Sequence, residues 1–382
     1  FCPSTNNCYF YAMALAFIRP FIKRIVIGIN LLVIFIYLLG CLSPWVNPVY
    51  FTPISFIAIT MPYLALILIF AAIFWIIVKP KYVWMPLLAL LLSYQQIQVM
   101  FAGNIKEGFS KTKPAGSLRI ISWNVQSFNG LSKSKAAKQQ VRTDLALTIQ
   151  KLNADVVCMQ EFNHADNANP TANNIGLFAD SFPYHCFSKD YRRNNHYHSG
   201  CIIFSKYPII RSERIPFKTA ESLIYADIVK GYDTIRVFTT HLQSYKFNQD
   251  DYDGMEKIKQ QNEEALAASK GIIQKMLLAF RRRTAQAIIV KNKLNESPYP
   301  YLICGDFNDV PNSFTYFHIR ENMQDAFLAK GFGIGRSFIS LAPTLRIDYI
   351  LTDPHFAIRQ FDMVDEDLSD HIMLVSDVAL KK

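Results

Sequence analysis

The first 103 residues contain no Asp or Glu and carry three long apolar segments, at 25–42, 54–78 and 82–101. Each segment is long enough to cross the hydrocarbon core of a bilayer, roughly 30 Å thick, as a helix. None shows the polar face that a helix in a soluble core presents to water. A single signal peptide would account for only one such segment. We therefore predict three transmembrane helices, at about 25–42, 54–78 and 82–101, and exclude a purely soluble protein.

Basic residues flank these segments unevenly. Lys23 and Arg24 precede the first segment, and Lys79 and Lys81 lie between the second and the third, whereas residues 43–53 carry no charge. The positive-inside rule then places the N-terminus and the second loop in the cytoplasm. Three crossings put everything after residue 103 on the outer side, although three lysines shortly after the third segment point the other way. We predict a multi-pass membrane protein with an extracytoplasmic second half.

The formal net charge of +10 at pH 7 would by itself indicate a nucleic acid or an anionic surface as partner. Five of the basic residues lie in the membrane segment, residues 1–103, where they indicate the orientation of the helices. The other 35 Lys and Arg against 30 Asp and Glu leave only +5 for the rest of the chain. That excess is too small to make nucleic acid the default partner.

The chain has seven cysteines and no C-x-x-C spacing, so a zinc site or a dithiol motif is not indicated. Cys158, Cys201 and Cys304 lie within apolar, strand-like runs. We predict buried free thiols at these positions, with disulfides as the alternative, because Cys often packs as a small hydrophobic residue.

The second half of the chain alternates short β-prone runs with loops and helices. A polar linker at 104–117 is followed by a domain at 118–382, with a helix predicted at 136–152. Strands are predicted at 118–123, 155–160, 201–204, 223–229, 235–240, 301–304, 348–351 and 372–378. A helical insertion is predicted at about 251–292. Its basic run at 281–283 favours a solvated helix face over a contact with phosphate.

Polar side chains recur at the ends of these predicted strands. Asp306 and Asn308 follow an apolar strand and share one face of an extended backbone, although a simple turn accounts for this pair equally well. Comparable positions are held by Asn124, Glu161, His241, Asp348, Asp370 and His371. The set contains carboxylates, amides and histidines but no cysteine, and it therefore suits Mg²⁺ or Mn²⁺ better than Zn²⁺.

The order of these motifs resembles that of the endonuclease/exonuclease/phosphatase superfamily. The motifs are SWNV (122–125), QE (160–161), SGCIIFSKYP (199–208), THL (240–242), GDFN (305–308), RIDYIL (346–351) and SDH (369–371). That superfamily includes DNase I-like nucleases, inositol polyphosphate phosphatases and neutral sphingomyelinases. The resemblance covers residues from about 118 to the C-terminus and points to a bacterial, membrane-anchored member in the inner membrane. It implies a four-layer α/β sandwich (DNase I-like) and in-line hydrolysis of a phosphoester by water.

The resemblance also implies a divalent metal, Mg²⁺ or Mn²⁺, and its ligands. Glu161 would be the main metal ligand, with Asn124 beside it. Asp370 would bind or support the metal.

Five further residues take catalytic roles through the same resemblance. Asp306 would deprotonate the attacking water, and Asn308 would hold that water or a phosphate oxygen. His371 would contact the scissile phosphate while Asp348 fixes its tautomer. His241 would contact the phosphate or protonate the leaving oxygen.

One departure concerns the partner of His241. DNase I-like members carry a glutamate that pairs with this histidine. The matching strand here has Tyr225 at or near that place, and Glu221 lies a few residues earlier. The sequence leaves both residues open as the partner of the leaving-group acid.

Three functions are compatible with this pattern. The first is a membrane-anchored, metal-dependent phosphoesterase acting on a diester or monoester, with a lipid head group or a sugar or inositol phosphate as substrate. The second is a membrane-tethered endonuclease or exonuclease acting on external nucleic acid. The third is a non-catalytic binding or sensor module, which the complete set of polar residues argues against. The lipid bilayer is the only other partner that the sequence indicates.

Overall fold

The computed structural model describes residues 5–104, 108–129, 134–166, 172–259 and 265–381. The helices in these ranges are α1 (Thr5–Gly40), α2 (Pro53–Val78), α3 (Trp84–Leu92), α4 (Tyr94–Met100), α5 (Gln126–Asn129), α6 (Lys135–Lys151), α7 (Gln249–Lys259), α8 (Ala265–Asn295), α9 (Phe314–Arg320) and α10 (Ala326–Lys330), with a 3₁₀ turn at Pro80–Tyr82. The strands are β1 (Ala102–Gly103), β2 (Leu118–Asn124), β3 (Val156–Ala165), β4 (Tyr184–Phe187), β5 (Tyr191–Arg193), β6 (Tyr197–Ser205), β7 (Ile209–Pro216), β8 (Ser222–Lys230), β9 (Asp233–His241), β10 (Tyr301–Asp306), β11 (Gln324–Asp325), β12 (Phe332–Gly333), β13 (Asp348–Thr352), β14 (Phe356–Val364) and β15 (Met373–Leu380).

Two large sheets form the second half of the chain. One has the order β14-β15-β2-β3-β6-β4, with β5 also paired to β6, and the other has the order β11-β13-β10-β9-β8-β7. The pairs β2–β3 and β9–β10 are parallel, whereas their neighbours are antiparallel. A third pairing joins β1 to β12 and ties the chain after the membrane segment to the domain.

Three apolar cores stack these sheets into layers. The central core lies between the sheets and contains Ile120 and Val156 from one sheet and Ala226 and Ile350 from the other. Each outer face has a core of its own, because the central strands are apolar on both sides. One packs under α6 and the other under α8 and α9. The order helix, sheet, sheet, helix is the predicted four-layer α/β sandwich.

Two of the described helices are long and apolar enough to cross a membrane, over Arg19–Gly40 and Pro53–Val78. They pack on each other through a small cluster that includes Tyr37, Met61 and Leu68. At one end Lys23 and Lys81 both lie over the ring of Tyr82, at 5.4 and 5.3 Å, so the basic residues that flank these helices gather there.

The third predicted span is not a single helix. The segments Pro80–Leu92 and Tyr94–Met100 meet at an angle of 67°. The break falls at Ser93, whose buried hydroxyl bonds the carbonyl of Leu90 at 2.9 Å and the hydroxyl of Tyr37 at 2.6 Å. Side-chain bonds of this kind compete with the helical ladder. The uniform apolar pattern of residues 82–101 gave no sign of the bend.

The opposite end of the helices contacts the sandwich directly. Ser43 donates to the carbonyl of Asn312, and Arg281 Nε donates to Thr52 Oγ1 at 3.2 Å. Asn312 in turn donates to the carbonyl of Gln96 at 3.3 Å. The loop between α1 and α2 and the end of α4 therefore lie on the side of the sandwich, away from the cluster of Lys23 and Lys81.

All five cysteines whose side chains are described are free thiols, and Cys158, Cys201 and Cys304 are fully buried in the central core. This agrees with the predicted free thiols. Cys2 and the side chain of Cys8 lie outside the described residues.

Candidate active site

The strand register brings the predicted polar residues to one edge of the sandwich. His241 and Asp306 are direct neighbours on the parallel strands β9 and β10, and Asp306 also faces Asp348 on β13. Asn124 ends β2 in the other sheet, and Asp370 and His371 lie three and two residues before β15. Parallel strands end at the same sheet edge, which is why residues far apart in sequence meet here.

Gly305 allows β10 to approach β9 closely enough for this arrangement. Its φ is +146°, and a Cβ added there would lie 2.1 Å from the carbonyl oxygen of Thr240. No side chain fits at that distance, so glycine is required directly before Asp306.

Asp306 is the centre of the hydrogen-bond network. It is 1% exposed and accepts hydrogen bonds from the Asn308 backbone N–H (2.8 Å), Asn308 Nδ2 (3.2 Å) and Asn124 Nδ2 (3.1 Å). Burial and the neighbouring charge of Asp348 raise its pKa to about 6, although His371 and His241 act in the opposite direction. A carboxylate with this pKa is suited to accept a proton near neutral pH.

Asn308 lies at φ +53° and its amide Nδ2 also donates to the carbonyl of Leu242 at 3.0 Å. These hydrogen bonds orient Asp306 and link β10 to the end of β9.

His371 and Asp348 form a buried pair. Nδ1 of His371 lies 2.9 Å from Asp348 Oδ2, and Nε2 lies 3.8 Å from Asp306 Oδ2. Burial alone would lower the pKa of the imidazolium, but the charges of Asp348 and Asp306 outweigh it and raise the pKa to about 10. His371 thus carries its proton at neutral pH and directs Nε2 toward Asp306. The backbone N–H groups of Ile347 and Asp348 both donate to Ser337 Oγ, which fixes the start of β13.

Glu161 does not end its strand as the sequence predicts. β3 continues to Ala165, and the register with β6 shifts between Met159 and Phe162. Glu161 lies in this bulge at φ +52°, which redirects its side chain toward Asn124 Nδ2 at 3.2 Å. Bulges commonly re-aim a side chain in this way near active sites. Its side chain is 38% exposed and lines the active-site pocket, which His241, Asp306, Asp370 and His371 also line.

His241 bridges the acidic residues, with Nε2 3.5 Å from Asp306 Oδ2 and 3.9 Å from Glu161 Oε1. Of its two candidate partners, Tyr225 points elsewhere, because its hydroxyl donates to Glu213 at 2.8 Å. Glu221 lies 3.2 Å from Lys246 and carries a buried Oε2 without a hydrogen-bond partner among the described residues. Although burial raises its pKa, contacts with Thr219, Lys246 and His241 lower it overall. Of the two candidates, Glu221 is the one whose pKa is lowered by the charge of His241.

The donor set fits a divalent cation. Glu161, Asp306, Asp348 and Asp370 concentrate negative charge, and burial together with the charge of Glu161 raises the pKa of Asp370. Asp348 Oδ1 is buried without a hydrogen-bond partner among the described atoms. A bound divalent cation would relieve this repulsion, and oxygen donors of this kind are those that Mg²⁺ and Mn²⁺ prefer.

Two arrangements for the cation are possible in this donor set. Ligand atoms of Asp306, Asp348 and His371 lie within 4.8 Å of one another. However, the Nδ1 atom of His371 is engaged by Asp348, and its raised pKa favours the protonated form, which cannot bind a metal. The second group consists of Glu161 and Asp370, which line the pocket, and the buried Asn124, whose Nδ2 donates to Glu161 at 3.2 Å.

The basic run of the insertion forms a solvated face only in part, because Arg281 and Arg282 are exposed and Arg283 is not. Arg283 is fully buried, donates to the carbonyl of Gln243 at 2.9 Å and lies 3.4 Å from Asp309. Its guanidinium also lies over the ring of Tyr245 at 4.6 Å. The prediction for residue 283 was wrong, because sequence periodicity could not show that α8 packs against the loop after Asp306. Its role in supporting that loop was missed at the sequence level.

The sequence matches the endonuclease/exonuclease/phosphatase family over residues 121–371. Residues 23–100 match a domain of unknown function. A search of curated proteins found no match.

Solved structures with the same fold include an endonuclease/exonuclease/phosphatase protein from Beutenbergia cavernae, at 18% identity and a TM-score of 0.50, covering 69% of this chain and 72% of the other. A mannosyl-6-phosphatase from Bacteroides thetaiotaomicron has 14% identity and a TM-score of 0.48, covering 69% and 100%. The human Nocturnin catalytic domain has 18% identity and a TM-score of 0.47, covering 71% and 97%. At 18% identity the likeness to the Beutenbergia cavernae protein concerns the fold alone.

Proposed function

Because this chain belongs to the endonuclease/exonuclease/phosphatase family, whose members hydrolyse phosphoesters, we propose that it is a membrane-anchored phosphoesterase that depends on a divalent metal. The observation that carries the proposal is the convergence of Asp306, the His371–Asp348 pair, His241 and Glu161 on one pocket. The proposed metal ligands are Glu161, Asn124 and Asp370, and Mg²⁺ or Mn²⁺ is the proposed metal.

Each polar residue has a task in hydrolysis. Asp306, with its raised pKa, takes a proton from water as the water oxygen attacks phosphorus in line with the leaving oxygen. The bond between phosphorus and the leaving oxygen breaks, and that oxygen receives a proton, for which His241 is the proposed donor. Asn308 holds Asp306 in the orientation that this transfer needs.

The protonated His371 supplies positive charge where the phosphate gains negative charge. Asp348 holds the ring and stabilises its proton through the 2.9 Å contact. When bound, the divalent cation would add further charge neutralisation at the phosphate oxygens. A phosphoester anion resists attack by water, and fixed positive groups offset that repulsion in the transition state.

The test is a metal-dependent assay on the full chain in detergent. We expect hydrolysis of methyl p-nitrophenyl phosphate that EDTA abolishes and Mg²⁺ or Mn²⁺ restores. Asp306→Asn and His371→Ala should each lose activity by at least about a thousandfold. Matched controls are Asp233→Asn in an exposed hairpin and His355→Ala, whose side chain is 74% exposed. Wild-type activity in Asp306→Asn or His371→Ala would show that the roles are wrong.

The membrane arrangement is part of the proposal. Three crossings are supported by the contacts at both ends of the helices: Lys23 and Lys81 gather at one end, while Ser43 and Gln96 approach Asn312 at the other. The bent pair α3 and α4 then completes the third crossing. We propose a bacterial inner-membrane protein with residues 1–103 in the membrane region, 104–117 as linker and 118–382 as an extracytoplasmic catalytic domain.

Protease accessibility tests this orientation. Protease added to intact cells should cleave the catalytic domain. Protection of the domain until the cells are permeabilised would show the opposite orientation.

A nuclease function has one observation in its favour. A groove beside Glu161 and Asp370 is lined by Lys135, Lys138 and Arg193 among other residues. A second arginine in that groove, Arg142, is already bonded to Asn174 and to the carbonyl of Asn173. We therefore place nucleic acid second among substrates.

A further inference from the structure

The active-site pocket has one polar side and one apolar side. The polar side holds the catalytic residues described above. The apolar side consists of two parts, an aromatic part with Tyr245, Phe247 and Tyr252 and a loop part with Phe338, Leu341 and Leu345. A phosphate group needs none of these side chains, so the apolar wall is free to contact another part of the substrate.

The aromatic part continues as a chain of ring contacts to the membrane helix α2. Phe247 stacks on Tyr245 with ring centres 5.1 Å apart, and Tyr245 meets Phe280 edge-on at 5.8 Å. Phe280 meets Phe56 of α2 edge-on at 5.1 Å. Ring contacts therefore run without interruption from the pocket to the first turn of α2.

The loop part contacts α2 as well. Thr344, between Leu341 and Leu345, has its hydroxyl 3.2 Å from the hydroxyl of Tyr63. Phe56 and Tyr63 are seven residues apart, or two helical turns on one side of α2. Both parts of the apolar wall thus rest on the same side of the same helix.

The exposed side chains indicate where the bilayer surface lies. From Leu66 onward α2 exposes large apolar side chains, including Phe70 at 61% and Ile77 at 78%. The loop between α1 and α2 exposes Trp45 at 66% and Tyr50 at 88%. Trp and Tyr concentrate at membrane–water interfaces. The pocket wall therefore meets α2 at the end that lies by the interface.

We infer that the substrate of this site is a phosphoester of a membrane lipid, with the phosphate at the polar side of the pocket and the lipid chain along the apolar wall toward α2. The inference rests on the proposed phosphoesterase function. Nucleic acid fits this pocket less well. Lys246 is the one Lys or Arg among the described residues that line it, and that side chain is paired with Glu221 at 3.2 Å.

The experiment compares two esters that release the same product. Methyl p-nitrophenyl phosphate is soluble, and hexadecyl p-nitrophenyl phosphate adds a lipid-like chain. The full chain is assayed in dodecyl maltoside micelles, which contain no phosphate, with Mg²⁺ or Mn²⁺. The quantity measured is the ratio of kcat/KM for the hexadecyl ester to that for the methyl ester.

Charged substitutions in the wall should lower this ratio. We expect Leu341→Asp and Phe247→Asp each to reduce it at least tenfold relative to wild type. Leu341 is 38% exposed, so Asp there should not prevent folding, and thermal unfolding of each variant checks this. The matched control is Leu147→Asp on α6, a leucine 46% exposed and outside the residues that line the pocket, which should leave the ratio unchanged.

The outcomes separate the inference from the proposed function. Hydrolysis of the methyl ester with a ratio unaffected by Leu341→Asp and Phe247→Asp would keep the phosphoesterase and overturn the lipid substrate. Faster cleavage of a single-stranded DNA oligonucleotide than of the hexadecyl ester would also overturn it. If neither ester nor DNA is hydrolysed with either metal, the proposed function itself fails and the inference falls with it.

Discussion

Arg346 donates a hydrogen bond from Nη2 to the carbonyl oxygen of Val99, 2.7 Å away, and so joins the sandwich to the last helix of the membrane segment. The same guanidinium donates from Nη1 to Asp325 at 2.7 Å and is 2% exposed. Arg346 precedes Asp348 by two residues. One buried cation therefore links the membrane segment, the sheet edge at β11 and the strand that carries Asp348.

Replacing Arg346 should destabilise the whole chain. Arg346→Met leaves Asp325 buried without its cation, and breaking a buried ion pair in this way costs about 3–5 kcal/mol. Arg346→Lys should cost less, because it keeps the charge but not both directed bonds. Thermal unfolding in detergent measures this, with the 67%-exposed Arg211→Met as the control. An unfolding temperature for Arg346→Met equal to that of wild type would contradict the prediction.

Removing the membrane segment should weaken the catalytic domain. A fragment that begins at residue 118 lacks the carbonyl of Val99 and the partners of Asn312, and it exposes the buried side of Arg346. We expect this fragment to unfold at a lower temperature than the full chain. Equal unfolding temperatures would mean that the two parts are energetically independent.

The pH dependence of hydrolysis should have two limbs set by buried groups. Asp306 must be ionised, so kcat/KM should fall as pH drops through about 6. His371 must be protonated, so kcat/KM should also fall as pH rises through about 10. The charge of Asp348 raises both pKa values. Asp348→Asn should therefore move both limbs to lower pH and reduce the maximal rate. Asp233→Asn should move neither, and a fixed profile in Asp348→Asn would show that other groups set the limbs.

Gly305→Ala should disrupt the site and the fold together. The new methyl group would meet the Thr240 carbonyl at 2.1 Å, and we expect a loss of about 2–4 kcal/mol in the free energy of unfolding. Gly231→Ala is the matched control, because Gly231 has φ +66° in an open hairpin with no atom within 4 Å. Backbone strain in that variant should lower the free energy of unfolding by only about 1 kcal/mol. Similar losses in both would rule out the close approach as the cause.

Glu161→Gln should weaken metal activation specifically. Removing the charge while keeping the shape should raise the Mg²⁺ concentration for half-maximal activity by at least about tenfold, since ligand charge sets affinity for hard cations. Titration of activity against Mg²⁺ measures this. Glu296→Gln, at a 60%-exposed surface pair with Lys293, should leave the titration unchanged. An unchanged titration in Glu161→Gln would exclude Glu161 as a ligand.

The strands that the sequence predicted are those buried on both faces, such as β8 and β10, because short continuous apolar runs between turn residues are typical of buried strands. The strands it missed lie at sheet edges. β7 is mostly exposed and reads as IIRSERIP, with Arg and Glu in the strand, and a register shift between Ile358 and Gln360 breaks the alternation of β14. Edge strands need one apolar face at most, so apolar residues mark them only weakly in the sequence.

The site was predictable to the extent that it depends on strand ends. His241, Asp306 and Asp348 meet because their strands are neighbours, and a motif at each strand end marks them. Contacts between distant segments left no local signal. The burial of Arg283, the ring contacts from Phe247 to Phe56 and the bond from Arg346 to Val99 depend on how α8 and the membrane helices dock, which no window of sequence encodes.

The short pairing of β1 with β12 limits how far the pocket can lie from the preceding helices. Ala102 and Gly103 follow the last membrane helix by one residue and are already hydrogen-bonded to Phe332 and Gly333. In the proposed membrane arrangement, the chain would therefore leave the bilayer without a slack tether, and the pocket would be held at one height above it. The proposed phosphoesterase would then select its target by depth as well as by chemistry: phosphates at a matching distance from the membrane would be within reach, and phosphates carried farther out would not.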